Sequence, residues 1–129
     1  MLCVPSPFYV DMADGYDLYV AGGDDRRDTT TGDWAPGEYK AECADGDVLT
    51  GLAQTTNFDN SWLQGARCSV AHHPYQSCQA VVCTFGDDRL SSTGGDWSYG
   101  YNKLQCPDGW YVKGVSLDYS MVAGLLCCE

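Results

Sequence analysis

Acidic residues recur in two loops that share one pattern, and their carboxylates are the first candidates for chemistry. The pattern is GDDR, then five residues, then GDW, and it occurs twice in the chain. Carboxylate oxygens are the ligands that Ca²⁺ prefers, so the loops are candidates for calcium binding through Asp24, Asp25, Asp87 and Asp88, with Asp33 and Asp96 close by. The alternative, which we favour, is that these aspartates cap turns and pair with Arg26 and Arg89.

Aromatic residues concentrate in the second half of the chain, where they suit a binding surface. An exposed ring beside acids and glycines is suited to stacking against a sugar, and aromatic residues are common at protein interfaces. The predicted binding residues are Trp97, Tyr99, Tyr101, Trp110, Tyr111 and Tyr119. Trp97 is the copy of Trp34 in the other loop, and this duplication favours core packing for both rings.

Catalytic patterns are weak in this sequence. The only histidines, His72 and His73, stand beside Pro74, where a solvated loop is the default. The sequence gives no sign that a serine or cysteine nucleophile, or a second group of metal ligands, lies beside these histidines. Paired carboxylates for glycoside cleavage are unspecific among 18 acidic residues. We therefore expect a protein that is not an enzyme and requires no cofactor, with Ca²⁺ as the one ion that the residues would suit.

Eight cysteines in 129 residues predict a disulfide framework. Their spacing lacks the two close pairs of a zinc site. The net charge of −11 argues against nucleic acid and anionic membranes as partners, and no segment is apolar for long enough to span a bilayer. These features predict a secreted, extracellular protein.

An internal repeat organises the whole chain. Residues 23–53 align with residues 86–116 at a constant offset of 63, and 14 of the 31 positions are identical. The similarity extends outward to give one unit over 18–68 and a second over 81–129. Residues 1–17 then form an N-terminal arm and 69–80 a connector, all within a single domain.

Each unit shows strand-like rather than helical patterning. The expected strands are near 18–21, 38–43, 48–53 and 62–68 in the first unit, and near 80–84, 101–106, 110–116 and 122–127 in the second. Asp45-Gly46 and Asp108-Gly109 predict hairpin turns, and Gly51 and Gly114 predict bulges or close backbone approaches. The expected fold is all-β, with two pseudo-symmetric units of about four short antiparallel strands packed as one disulfide-stapled sandwich, prism or barrel.

The strand ends suggest which cysteines pair. Cys43 and Cys68 end two strands of the first unit, and Cys106 and Cys127 are their copies, so we predict Cys43–Cys68 and Cys106–Cys127. Each bridge should stabilise the fold by about 3 kcal/mol. The sequence leaves Cys3, Cys78, Cys83 and Cys128 unassigned. Because neighbours on a strand point to opposite faces, Cys127 and Cys128 should pair with different parts of the molecule.

The cysteine and glycine spacing resembles two extracellular families. The stretch from Cys43-Ala44-Asp45-Gly46 through Gly51 to Cys68 recurs as Cys106-Pro107-Asp108-Gly109 through Gly114 to Cys127-Cys128. It is similar to the modules of dermatopontin and to the repeats of vitelline membrane outer layer protein, which form a β-prism. The resemblance implies a β-rich, non-catalytic extracellular protein associated with matrix or glycans.

Two functions follow as expectations. The first is a secreted binding module for glycan or extracellular matrix protein, assisted by calcium if the acidic loops hold it. The alternative is a structural subunit that self-associates into an extracellular coat or filament. A third class, an enzyme or enzyme inhibitor, has the least support.

Overall fold

The chain forms β-strands and no helix in the part that the structure describes. A computed structural model describes residues 11–20, 23–28, 31–54, 63–71, 77–82, 87–90, 94–96, 98–101, 103–118 and 121–129. Its strands are β1 (Asp11–Tyr19), β2 (Asp25–Arg26), β3 (Tyr39–Glu42), β4 (Val48–Gln54), β5 (Leu63–Val70), β6 (Cys78–Val82), β7 (Asp87–Arg89), β8 (Lys103–Gln105), β9 (Tyr111–Asp118) and β10 (Met121–Cys128). The predicted all-β class is therefore confirmed.

The strands form two larger sheets and one small one. The first sheet has the order β1-β5-β4, and its pairs are antiparallel. The second has the order β2-β3-β9-β10-β6, in which only β2 and β3 are parallel. Strands β7 and β8 form a separate parallel pair. The central strands β5 and β10 thus have corresponding neighbours, and among the described residues no sheet closes into a barrel.

Strand β3 joins the two halves of the chain. It pairs antiparallel with β9, from Tyr39 opposite Leu117 to Glu42 opposite Gly114. The main apolar cluster likewise draws on both halves, with Leu18 and Leu49 from the first and Val115 and Leu125 from the second. Because small sheets bury too little surface alone, this shared cluster lets each half complete the core of the other.

The predicted hairpins between 38–43 and 48–53, and between 101–106 and 110–116, are wrong. The turns themselves exist: the Asp47 nitrogen donates to the Ala44 carbonyl at 3.0 Å, and Trp110 donates to Pro107 at 3.0 Å. However, the strands on either side enter different sheets. An Asp-Gly step fixes a local reversal of the chain, whereas strand partners are decided by which apolar faces meet.

Bulges fall at matching places in the two halves. The register of β4 against β5 shifts between Leu49 and Gly51, and that of β10 against β9 shifts opposite Gly114. A Cβ on Gly114 would lie 2.8 Å from the Ala41 carbonyl oxygen. Glycine is therefore needed there for β3 to approach, as the sequence predicted.

Two features of the chain path differ from expectation. Strand β1 begins at Asp11, inside the segment expected to be an arm, although aspartate and glycine disfavour strands. Close packing explains part of this, since a Cβ on Gly15 would meet the Cys68 carbonyl oxygen at 2.7 Å. The short parallel strands β2 and β7 were not predicted, because two or three residues carry no periodicity.

Three disulfides staple the strands. Cys43–Cys68 and Cys106–Cys127 are the two pairs that the sequence predicted. The third, Cys78–Cys128, ties β6 to β10 and was left unassigned by the sequence. As expected, adjacent Cys127 and Cys128 bond to different partners. Cys3 and Cys83 lie outside the described residues.

Candidate functional site

Two of the predicted aromatic binding residues stand in solvent. Tyr99 is 88% exposed and Tyr101 is 72% exposed, and both lie in the loop before β8. By contrast, Trp110 is half-buried against the core, and Tyr111 is only 6% exposed. Trp97 and Tyr119 lie outside the described residues. The structure thus brings two tyrosines of the set together at the surface.

A buried lysine fixes the loop that carries these tyrosines. The ammonium of Lys103 donates to the carbonyl oxygens of Ser98 at 2.8 Å and Tyr101 at 2.7 Å. It also lies 2.8 Å from a carboxylate oxygen of Asp96. The hydrogen bond from Lys103 lowers the pKa of Asp96. With two backbone carbonyls and one carboxylate on a single cation, the loop is held firmly in one conformation.

The first half of the chain repeats this lysine cage. Lys40 donates to the carbonyl oxygens of Ala35 at 3.0 Å and Glu38 at 2.7 Å. Its ammonium lies 2.9 Å from Asp33 and 3.4 Å from Asp24. The hydrogen bond from Lys40 lowers the pKa of Asp33. Every partner except Asp24 is 63 residues before its counterpart at Lys103.

A third lysine belongs to a buried charge network without a copy. Lys113 is 0% exposed, and its ammonium lies 2.7 Å from Asp28 and 3.1 Å from Glu42. Glu42 also accepts hydrogen bonds from the Trp34 indole at 3.0 Å and the Thr31 hydroxyl at 2.6 Å. Burial alone would lower the pKa of Lys113, but the bonds to Asp28 and Glu42 outweigh it and raise that pKa.

The carboxylates proposed for calcium are engaged by the chain itself where the structure describes them. Asp24 accepts from the Lys40 backbone nitrogen at 3.0 Å and lies 3.7 Å from Arg26. Asp25 accepts from the Tyr19 nitrogen at 2.8 Å and from Arg27 at 3.1 Å. The side chains of Asp87 and Asp88 lie outside the described set. The described residues hold no group of three or more potential ligands placed for a metal ion.

A cleft of about 130 Å³ lies between the first caged loop and the five-stranded sheet. Trp34, Ala35, Pro36 and Glu38 form one side, and the other lining residues are Ala80, Val81, Ser116 and Gly124. Ser116 stands opposite Lys40 on one neighbouring strand and opposite Gly124 on the other. Since Lys40 fixes the 35–38 loop, the wall of the cleft is fixed as well.

Ser116 is the polar residue that the sheet contributes to the lining of this cleft. Ser116 is 0% exposed, and its Oγ finds no hydrogen-bond partner among the described residues. A buried hydroxyl is normally hydrogen-bonded. An exception that lines a cleft is therefore a candidate contact for a ligand.

Sequence reasoning missed both the lysine cages and the cleft. The lysines offered a signal, because Lys40 and Lys103 are identical at the same place in the repeat. Ser116 offered none, since its importance depends on the neighbours that the fold supplies. The histidines lie outside the described residues.

Comparisons with protein-family models, with curated proteins and with solved structures find no match to this chain. The described part contains no helix that is long and apolar enough to cross a membrane.

Proposed function

We propose that this protein is a secreted, non-catalytic module that binds glycans through Tyr99 and Tyr101. The observation that carries the proposal is that two neighbouring tyrosines are largely exposed on a loop held by Lys103. Tyrosine is enriched at binding surfaces, because its ring offers a large apolar face and a polar tip. A loop that is already fixed loses little entropy when a ligand stacks on it.

Composition and bonding support the same proposal. Three disulfides are typical of extracellular proteins. The net charge of −11 suits a neutral sugar or a basic matrix protein better than a polyanion. The resemblance to dermatopontin modules and to repeats of vitelline membrane outer layer protein points to the same surroundings.

We also propose that the two halves are pseudo-symmetric units packed as one sandwich-like or prism-like body. Matching bulges, turns, disulfides and lysine cages at corresponding positions support this arrangement. Superposing residues 31–53 on 94–116 tests it in an experimental structure, because the Cα atoms of Lys40 and Lys103 should then coincide. Helical or unrelated backbone in either segment would contradict it.

Array binding tests the glycan proposal. A printed array of neutral oligosaccharides is probed with the wild-type chain and with a Tyr99→Ala/Tyr101→Ala variant. The variant should lose at least tenfold in apparent affinity at unchanged thermal midpoint, because both rings are already in solvent. Tyr19→Ala is the matched control, since that tyrosine is also exposed. Equal binding by the double variant and the control would refute the proposal.

Calcium assistance is a subordinate proposal with its own test. If Asp24, Asp25, Asp87 and Asp88 bind Ca²⁺, then EDTA should lower the thermal midpoint and millimolar Ca²⁺ should restore it by mass action. The ion pairs of Asp24 and Asp25 favour the turn-capping alternative instead. If the thermal midpoint is unchanged in EDTA, the calcium proposal is refuted and the aspartates act as turn caps.

The second candidate function is self-association, which the free edge of β4 favours. Among the described residues β4 pairs only with β5, and Leu52 near its end is exposed. The corresponding edge of β9 is covered by β3. An open edge is a template for pairing with a second copy. Light scattering over a concentration series should then show assembly that Leu52→Lys suppresses, whereas a constant monomer mass would exclude this function.

A further inference from the structure

We propose that the cleft beside Trp34 binds a methyl-bearing part of a sugar, with the Ser116 hydroxyl bonded to the oxygen next to that methyl group. The inference rests on the proposed glycan function and adds a second contact site to it. A 6-deoxyhexose and an N-acetylhexosamine are the two sources of such a group.

The lining of the cleft includes a serine whose hydroxyl the fold does not use. Ser116 is fully buried, yet its Oγ has no hydrogen-bond partner among the described residues. Desolvating a hydroxyl without a partner is unfavourable. Because this Oγ has no accessible surface, a ligand oxygen supplies the missing bond once the Ser116 side chain rotates towards the cleft, and the missing bond favours that rotation.

The repeat provides an internal comparison for this hydroxyl. Gly65 and Gly124 occupy corresponding positions in the repeat, and each lies close to a neighbouring strand. A Cβ on Gly65 would lie 3.0 Å from the Leu18 carbonyl oxygen of β1, and a Cβ on Gly124 would lie 2.9 Å from the Val81 carbonyl oxygen of β6. The residue that stands beside the glycine is Ala53 in the first half and Ser116 in the second. The first half builds this strand geometry with alanine, so Ser116 is not required for folding.

The walls of the cleft are mainly apolar and already fixed, with Glu38 as the one acidic residue in the lining. Trp34, Ala35 and Pro36 face the β6 residues Ala80 and Val81 across it. The indole nitrogen of Trp34 is bonded to Glu42 at 3.0 Å, which fixes the ring. These groups suit a methyl group and the face of a sugar ring, because neither contains a charge that needs solvation.

The size of the cleft limits what can enter. Its volume of about 130 Å³ is close to the ~150 Å³ of an apolar protein cavity that takes up benzene. That space accepts a small substituent with its neighbouring oxygen, and an oligosaccharide would continue outside. The apolar groups on both walls favour a methyl-bearing group over the second hydroxyl of an ordinary hexose at this place.

Saturation-transfer NMR on the intact, oxidised chain tests the inference with two matched pairs of free sugars. The pairs are 6-deoxygalactose with galactose, and N-acetylglucosamine with glucose. We expect strong transfer to the methyl protons of one or both methyl-bearing sugars and weak transfer to their partners. The responding pair identifies the source of the methyl group.

Variants locate the contact. Ser116→Ala should weaken binding by about three- to tenfold, the value of one neutral hydrogen bond, at equal or higher thermal midpoint. Ala80→Leu should abolish methyl transfer by filling the cleft from an exposed strand position. Ser69→Ala is the matched control, because that buried hydroxyl is bonded to Thr50 at 2.9 Å. It should lower stability and leave binding intact.

The outcomes separate this inference from the proposed function. Two outcomes would refute the cleft as a sugar-binding site. One is equal transfer within both sugar pairs, and the other is methyl transfer that persists in Ala80→Leu. If array binding still depended on Tyr99 and Tyr101, the proposed function would remain supported without the cleft. Methyl transfer that persists in the Tyr99→Ala/Tyr101→Ala variant, together with array binding equal to that of the Tyr19→Ala control, would support the cleft and refute the tyrosine surface.

Discussion

Replacing Lys113 by methionine should destabilise the protein more than any surface change. Methionine keeps most of the length of the side chain and removes its ammonium. The ammonium lies 2.7 Å from Asp28 and 3.1 Å from Glu42, and all three side chains are buried. The substitution therefore leaves two carboxylates in the interior without their cation.

The size of the effect follows from that burial. Removing one partner of a buried ion pair typically costs about 3–5 kcal/mol, against a total stability of about 5–15 kcal/mol for a typical domain. At an m-value of about 2 kcal/mol/M in urea, the unfolding midpoint should fall by about 1.5–2.5 M. The loss in this variant should be smaller at pH 5 than at pH 7, because burial without a cation favours the neutral form of a carboxyl group and acid supplies the proton.

Urea unfolding followed by tryptophan fluorescence measures this loss. The repeat suggests a compensating variant, since the positions of Asp28, Glu42 and Lys113 correspond to Ser91, Gln105 and Thr50 in the other half. The Asp28→Ser/Glu42→Gln/Lys113→Thr variant should recover much of the stability that Lys113→Met loses. A loss below about 1 kcal/mol for Lys113→Met, with no difference between pH 5 and pH 7, would show that the network is solvated.

Three further predictions concern the buried cations, an internal phenol and the cysteines. All three lysines are buried, so an amine-reactive ester should modify none of them in the native protein and all of them in urea; fast native labelling of any lysine would contradict its cage. Burial and the hydrogen bond to Asp47 raise the pKa of Tyr16 to about 12, so its contribution to stability is complete below pH 10 and is lost as pH rises towards 12. Absorbance at 295 nm should therefore show late tyrosine ionisation that decreases by one tyrosine in Tyr16→Phe. An unchanged titration in that variant would refute the assignment. The mass of the non-reduced protein should lie about 8 Da below that of the reduced protein, about 2 Da for each bridge. Three bridges are in place, and the fourth would use Cys3 and Cys83. If most cysteines reacted as free thiols, an extracellular location would be contradicted.

The repeat explains why much of the fold could be predicted. Two copies with the same offset fix the turns at Asp45-Gly46 and Asp108-Gly109, the bulges near Gly51 and Gly114, and two of the disulfides. All of these are local features or simple consequences of strand ends. Their positions follow from backbone constraints that glycine and cysteine make visible in a sequence.

Features that depend on long-range contacts could not be predicted in the same way. Strand β3 pairs with β9, about 75 residues away, and not with β4 beyond the adjacent turn. Cys78–Cys128 requires β6 to lie beside β10. The cleft at Ser116 arises only when a loop of one half covers strands of the other. The buried lysines could not be predicted either, because lysine is almost never fully buried unless it is paired, and these pairs form only in the folded chain.

The two lysine cages have a consequence for the environments in which this protein can keep its shape. Each loop wraps a positive charge with two carbonyls and a carboxylate, much as a loop wraps a bound metal, but the charge is tethered to β3 or β8. A tethered ion is always at saturating local concentration and is not removed by dilution or by chelators. The Tyr99–Tyr101 segment should therefore keep its conformation in extracellular fluids whose concentrations of divalent metal ions differ widely.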